Sequence, residues 1–469
     1  MSQTSFGGQR EHGAVMVHVA IGLIAFLAFS ALSIDYGVKW VARTQAQNAA
    51  DAGALAGATA LAFDSPSQAP DGVATRSARA YALANLVWGT PPDVEVTDIT
   101  YPPCPPPDGD DPLSVGPFNC IRVDVYRNQA RENPLPTYFS QLVGVTDQGV
   151  RAMAIAKLGE GNSVKCLLPF GVADRWADYY DNFIPPPGDP QYFANDGLGS
   201  TPGSTQEQAV AGWSMNDNFQ AAQGDIYRSP IQYPDGTHTG WTTDPVAQGG
   251  DKGRQLILKF GAVGGLSSGW ANKVNLPGST GSNDYKDDIV NCNENPISIA
   301  DFEQDCSGIV THSTTDPNDA LNGCVSSETG VSQGPTRAGV NELVAKDDVY
   351  WDPSAGDGGA VMANGCTPSS TDNCQRPNSP RVRPLVVFDI NHYLAQGCNG
   401  TTCTTKVANI IGFFMEGMCN TVTLDAGTVC ADPARDVVGR IVSLPGQYFA
   451  GGGNIADDAA FLKFVTLVR

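Results

Sequence analysis

Residues Ala14–Ile34 read AVMVHVAIGLIAFLAFSALSI, twenty-one positions without a formal charge at neutral pH. As a helix this stretch is ~30 Å long at ~1.5 Å per residue, about the thickness of a bilayer's hydrocarbon core. The helical pattern continues without proline from Asp35 to Phe63, and ten of the twenty-one residues from Ala42 to Ala62 are alanine, the strongest helix former. The pattern predicts one rod with a lipid half and a water half. A buried core helix is the weaker reading, because an uncharged N-terminal span of this length seldom packs inside a soluble domain. A cleaved signal sequence has a basic start and an apolar centre of roughly 7–15 residues. Here the run is longer and only Arg10 is basic ahead of it. Ser30-Ala31-Leu32-Ser33 imitates a cleavage site, but the span is expected to be retained.

Beyond the apolar half, Ala42, Ala46, Ala49, Gly53, Ala56 and Ala60 recur at spacings of three and four, so they share one helix face. Small side chains let another element approach closely. Two readings stay open: the face docks on the chain's own following domain, or on other subunits of an assembly.

Charge and cysteine usage narrow the function. Asp plus Glu number 49 against 28 Lys plus Arg, a formal charge of −21. Such a surface repels phosphate backbones, so nucleic acid is not an expected partner. All twelve cysteines follow the apolar span: Cys104, Cys120, Cys166, Cys292, Cys306, Cys324, Cys366, Cys374, Cys398, Cys403, Cys419 and Cys430. An even number on one side of a membrane span points to disulfides in an oxidising compartment. Zinc sites prefer closely spaced Cys and His, whereas the nearest pair, Cys398 and Cys403, has no adjacent histidine. The flanking charges Arg10, Lys39 and Arg43 do not decide orientation. The cysteines do, and they place the C-terminal bulk in the periplasm or exterior.

The N-terminal residues also resemble a known family. Gly13-Ala14-Val15, Asp35-Tyr36-Gly37, Ala42-Arg43-Thr44 and Gln47-Asn48-Ala49-Ala50-Asp51-Ala52 are similar to the N-terminal segment of TadE/TadG-like proteins of the bacterial Flp, or tight-adherence, pilus system. The resemblance implies a component anchored in the inner membrane that helps assemble or anchor pili, with other Tad envelope proteins as partners and no catalysis. Pilin-like members that are processed carry Glu at the fifth position after the cleavage glycine. Counting from Gly13, this chain has His18, which favours a retained anchor as in the TadG branch.

In chain order, residues 1–13 read as a cytoplasmic tail, 14–34 as the transmembrane helix and 35–158 as a small α+β, pilin-like domain that includes the helix extension 35–63. Within it the patterns predict a helix over 71–88 with Ala74, Ala78, Tyr81, Ala82 and Leu86 inward, strands over 94–101, 120–127 and 149–158, and a helix over 136–145. A Cys104–Cys120 bridge would close the proline-rich loop between two of those strands. Gly159–Ser163 reads as a linker. Residues 164–469 are expected to form a mostly β, disulfide-rich domain with large loops and strands over 254–260, 381–390, 407–415, 436–444 and 460–468. The fold class is α+β overall.

Motifs that could carry chemistry are weak. Gly265-Leu266-Ser267-Ser268-Gly269 fits G-x-S-x-G, but no helix follows to make a nucleophile elbow, and nothing places His312 or His392 beside Ser267. Asp352-Pro353-Ser354-Ala355-Gly356 departs from the D-x-S-x-S metal site of von Willebrand A domains at Gly356. Asp108–Asp111 and Asp316–Asp319 lack the calcium-loop spacing. Asn399-Gly400-Thr401 fits a glycosylation sequon between two cysteines and reads as a turn. His18 reads as a neutral imidazole near the entry interface, with a proton-linked polar residue in the span as the lesser alternative. No metal, cofactor or enzymatic activity is therefore expected. The leading reading is a non-enzymatic Tad component with homo-oligomerisation left open. An anchored adhesin or ligand-binding protein is the alternative, and an anchored hydrolase ranks behind it.

Overall fold

The computed structural model describes residues 11–63, 68–103, 120–176 and most of 225–468. The chain divides into two compact units. The first runs to Leu158 and also takes Val465–Arg469; the second is Gly159–Phe464.

The first unit is built on α1, Glu11–Phe63, one unbroken helix of 53 residues. A second helix, α2 (Val73–Ala84), packs along its C-terminal half through Ala74, Thr75, Ala78 and Ala82. Tyr81 and Leu86, expected inward, are instead exposed. The reason is steric: α2 approaches Gly53 and Gly57 so closely that only alanine-sized residues fit the seam. Beneath the helices lies an antiparallel sheet of β1 (Ile99–Thr100), β2 (Cys120–Arg127) and the first part of β5 (Val150–Val164). Its inner face supplies Ile121, Val123, Val125, Ala152, Ala154 and Ala156 to a core shared with the alanines of α1 and α2. Each buried methyl-sized group contributes about 0.8 kcal/mol, so this core gains from many small contacts rather than a few large side chains.

Two expected elements of this unit are different. The segment 94–101 is mostly not strand: Val96–Asp98 is a 3-10 turn, because the Asp98 carboxylate accepts the Glu95 N–H at 2.8 Å and holds the turn closed. The segment 136–145 is not an α-helix. It holds β3 (Leu135–Pro136), paired with β4 (Asp147–Gln148), and between them only a 3-10 turn, Ser140–Val143, ended by Gly144 at φ 87°. Its first N–H groups go to α1 rather than to its own carbonyls, as described below. Nearby, the buried Arg127 guanidinium donates to the carbonyls of Val87, Asn133 and Pro134 and to the Thr90 hydroxyl, pinning two loops at once.

Gly159–Ser163 is strand rather than linker, as β5 continues into the second unit and pairs there with β9 (Ile297–Ser298) and β16 (Phe449–Gly452). Glycine is required at 159 because a Cβ would lie 2.4 Å from the Phe464 ring. Close approach, not flexibility, explains this glycine.

The second unit is organised by a sheet that closes on itself. Its members are β6 (Phe170–Ala173), β7 (Gln255–Phe260), β8 (Trp270–Val274), β13 (Val382–Phe388), β14 (Cys403–Met418) and β15 (Val437–Val442). β14 pairs with β13 and β15, β13 with β6, β6 with β8, β8 with β7, and β7 with β15. β10 (Cys324–Glu328) joins β14 and β8 as well. The pairs β13–β6 and β7–β8 are parallel, the others antiparallel. Closure removes exposed edges, and it is tight: a Cβ at Gly412 would meet the Val442 carbonyl oxygen at 2.2 Å. Four strands expected in this region stand at β7, β13, β14 and β15. The last is shorter than expected: β17 covers Lys463–Val468, and its Val465 and Leu467 pack on the first unit's core.

The second unit is less purely β than its composition implied. Helices α3 (Ser282–Val290), α4 (Gln333–Val344) and α5 (Ile390–Ala395) fall among its loops. The first two pack together, with Gly339 beneath Ile289 and the Tyr285 and Thr336 hydroxyls 2.8 Å apart. A short antiparallel pair, β11 (Val349–Asp352) and β12 (Ala360–Ala363), stands apart. Five disulfides lie in this unit: Cys166–Cys292, Cys306–Cys324, Cys366–Cys374, Cys398–Cys403 and Cys419–Cys430. Cys120, in the first unit, is also disulfide-bonded. Its expected partner Cys104 lies outside the described residues.

Candidate functional site

The long helix changes character at one residue. Up to Ile34 the large apolar side chains that are described are exposed: Val15, Met16, Ile21, Leu23, Phe26 and Phe29 are all more than half accessible. Among the described residues this is the one helix long and apolar enough to cross a membrane. From Asp35 onward one face is buried.

Asp35 marks the change. Its carboxylate accepts the backbone N–H groups of Tyr138 (2.8 Å), Phe139 (3.0 Å) and Ser140, together with the Ser140 hydroxyl. These bonds, the Ser140 hydroxyl first, hold its pKa down at about 2, below the usual carboxylate range. A charge this well satisfied can stand at the edge of an apolar segment without pairing to a cation.

The next turns carry further clamps. The Gln45 side-chain oxygen accepts the N–H of Trp88 at 2.7 Å, where the chain turns with Trp88 at φ 51° and Gly89 at φ 78°. The Gln47 amide donates to Asp51 at 2.8 Å and to the Met153 carbonyl at 3.0 Å, tying helix to sheet. Above them run the small residues. Ala42, Ala46, Ala49, Gly53 and Ala60 are buried, and Ala56 is half-buried. A Cβ on Gly53 would meet the Ala78 carbonyl oxygen at 2.9 Å and Ala82 Cβ at 3.0 Å. The tightest point is Gly57, where a Cβ would lie 2.4 Å from Ile121 Cδ1. The sequence reading passed over Gly57, although it lies one turn beyond Gly53. It also gave Asp35 no role, although a lone acid directly after twenty-one uncharged residues must find donors.

Residues 13–60 match the Flp pilus-assembly TadE/G-like family model. This stretch covers the apolar half of α1, Asp35, both glutamine clamps and nearly all of the packed face. The match does not separate the TadG branch from the TadE branch. No curated protein and no solved structure matches the chain. A helix long and apolar enough to span a membrane, within a stretch similar to the Tad family, fits a Tad component that is associated with a membrane.

Most of the residues singled out in the sequence as candidates for chemistry fall outside the described part of the chain. Ser267, His312, Asp108–Asp111, Asp316–Asp319 and Asn399–Thr401 lie outside the described residues. His392 is half-buried in the first turn of α5, where its N–H donates to the capping Asp389 at 2.8 Å. Asp352 accepts the N–H and hydroxyl of Ser354, which closes an exposed turn. Cys166, Cys292 and Glu294 come within metal-ligand reach of one another, but the two sulfurs are spent in a disulfide.

Two buried carboxylates of the second unit are satisfied in different ways. Asp251 faces Arg175 and Arg254, each at 2.9 Å, and accepts the Thr242 N–H. Burial pushes its carboxyl up, but the two guanidiniums outweigh this and hold it below the usual range. Asp174 pairs with no guanidinium among the described residues, and His238 is the nearby cationic group. It accepts from Tyr227, Trp241 and Arg175 N–H, and burial raises its pKa to about 6.

Proposed function

We propose that the chain is a structural, non-enzymatic component of Flp/Tad pilus assembly, anchored in the bacterial inner membrane by residues 14–34. The observation that carries this reading is the coincidence of the Tad match with a helix whose first half is apolar and exposed and whose second half is packed. The helix fixes the chain in the bilayer. The first unit is clamped to that helix by Asp35, Gln45 and Gln47. The disulfide-bonded second unit lies in the periplasm, where the five cross-links persist and can face other envelope proteins of the assembly. Most of the small-residue stripe is occupied by α2 and β2, which leaves half-buried Ala56 and exposed Thr59 for other subunits.

Deletion of the gene tests this function. Cells lacking it are expected to lose Flp pili in electron micrographs and to attach poorly to surfaces, with both restored by the full chain. Normal pili and normal attachment in the deletion strain would remove the proposal.

A further inference from the structure

We propose that the loop Pro136–Thr146 is a bilayer-docking collar: the phospholipid headgroup surface covers Tyr138, Phe139 and Val145, together with Tyr36 and Trp40 of α1. This rests on the reading of residues 14–34 as a membrane span, and it adds a second, peripheral membrane contact to the first unit.

Three observations on the loop converge. The first is depth. Asp35 follows the last apolar residue, Ile34, directly, and its carboxylate holds the N–H groups of residues 138–140. The Val145 N–H donates to the Ser140 carbonyl at 3.0 Å, and the Thr137 hydroxyl donates to the Val145 carbonyl at 3.1 Å. The loop is therefore fixed to α1 at the level where the helix leaves its apolar stretch.

The second is exposure. Tyr138 is 48 %, Phe139 39 % and Val145 48 % accessible, beside Tyr36 at 64 % and Trp40 at 61 %. The Tyr36 and Trp40 rings stack with centroids 6.5 Å apart. Tyrosine and tryptophan are the side chains that settle at the headgroup level, with the ring in the apolar boundary and the polar edge in water.

The third is charge. From Pro136 to Thr146 there is no Asp, Glu, Lys, Arg or His, in a chain whose net charge is −21. The exposed charges that follow on α1 are Lys39 and Arg43, whose sign suits an anionic headgroup layer. An acidic protein that must rest on an anionic surface has to keep carboxylates off its contact face: the loop itself carries none, Asp35 is buried against residues 138–140, and the next acid, Asp147, stands at the loop's end in the β3–β4 pair. Continuity with the span names the occupant: any surface fixed at this depth around the helix meets lipid first.

The test uses the full chain reconstituted in vesicles of phosphatidylethanolamine and phosphatidylglycerol that contain a phospholipid with a diazirine near its headgroup. After illumination, adducts are mapped by mass spectrometry of peptides. Adducts are expected on 14–34, on Tyr36 and Trp40, and on 138–145, with none on the exposed Tyr81 of α2. Phe139→Asp, which keeps the backbone N–H that Asp35 needs, is expected to lower loop labelling several-fold and leave labelling of 14–34 unchanged. Adducts on 14–41 with a clean loop would overturn the collar while leaving the span in place. Chain-to-chain crosslinks at the loop without lipid adducts would assign it to a second copy and also overturn it. Absence of adducts on 14–34 would remove the membrane reading itself, and the collar with it.

Discussion

The Asp35 carboxylate holds the Ser140 backbone N–H and hydroxyl across 105 positions of sequence. The helix thus positions a distant loop through one ionised side chain at the boundary between its apolar and packed halves.

The pH dependence of the first unit follows from that bond set. In an unfolded chain an Asp carboxyl titrates near ~3.9, whereas folded Asp35 titrates at about 2. The folded pKa is the lower one, so its contribution to stability is complete above pH ~4 and is lost as pH falls toward 2. Hydrogen exchange of the amides of 138–140 should stay slow above pH 4 once corrected for intrinsic rates, and lose protection below it. Asp35→Ala should abolish that protection at neutral pH. Retained protection in the variant would show that the loop is held by something else.

Gly57 should tolerate no larger residue. Gly57→Leu forces a side chain into Ile121 and Ala78 and should destabilise the first unit by about 3 kcal/mol. Thr59→Leu, two residues on at an exposed position, should change stability by less than about 0.5 kcal/mol. Thermal unfolding of the detergent-solubilised chain, followed by exchange of α2 amides, separates the two. Equal effects would place the seam elsewhere. Gly53→Leu should behave as Gly57→Leu does, so a defect it causes in assembly would run through folding of this unit.

The disulfides should differ in worth by the loop each one closes. Cys166–Cys292 spans 126 residues and Cys398–Cys403 spans 5. In the chain-entropy account these contribute about 5 and about 2 kcal/mol. Paired Cys→Ala variants, unfolded in guanidinium without reductant, should show the first loss exceeding the second. The reverse order would contradict a chain-entropy origin.

Asp251 should be the costliest acid to remove from the second unit. It is fully buried between Arg175 and Arg254, and taking one partner from a buried ion pair costs about 3–5 kcal/mol. Asp251→Ala should lower the midpoint of chemical unfolding accordingly, whereas Asp432→Ala, whose pair with Arg435 is nearly half exposed, should cost under about 1 kcal/mol. Similar midpoints for the two variants would contradict the burial argument.

What the sequence disclosed was whatever is periodic and strongly coloured. An uncharged span, an alanine run and an alternating CIRVDVYR mark a rod, its packed face and a central strand directly. The Tad resemblance rested on the same residues. Segments organised from outside themselves stayed hidden. Residues 136–145 read as a helix because nothing local shows that Asp35 takes their N–H groups. Gly159–Ser163 read as a linker because Gly159 answers to a ring far along the chain, Phe464. Helices α3 and α4 were overlooked in polar, glycine-containing stretches, although Tyr285 and Ile289, or Thr336, Val340 and Leu343, carry helical spacing. The closure of the β7–β15 ring depends on pairings between strands far apart in sequence, which no local pattern encodes.

The central claim is that residues 14–34 hold an oxidised, acidic chain in the membrane. Its most direct test is intact-mass analysis of the chain recovered from alkali-washed cell membranes, alkylated before and after reduction. The account predicts a membrane-retained species that includes residues 14–34 and whose cysteines take up label only after reduction. A freely soluble species that begins beyond residue 34, with thiols that label at once, would contradict it.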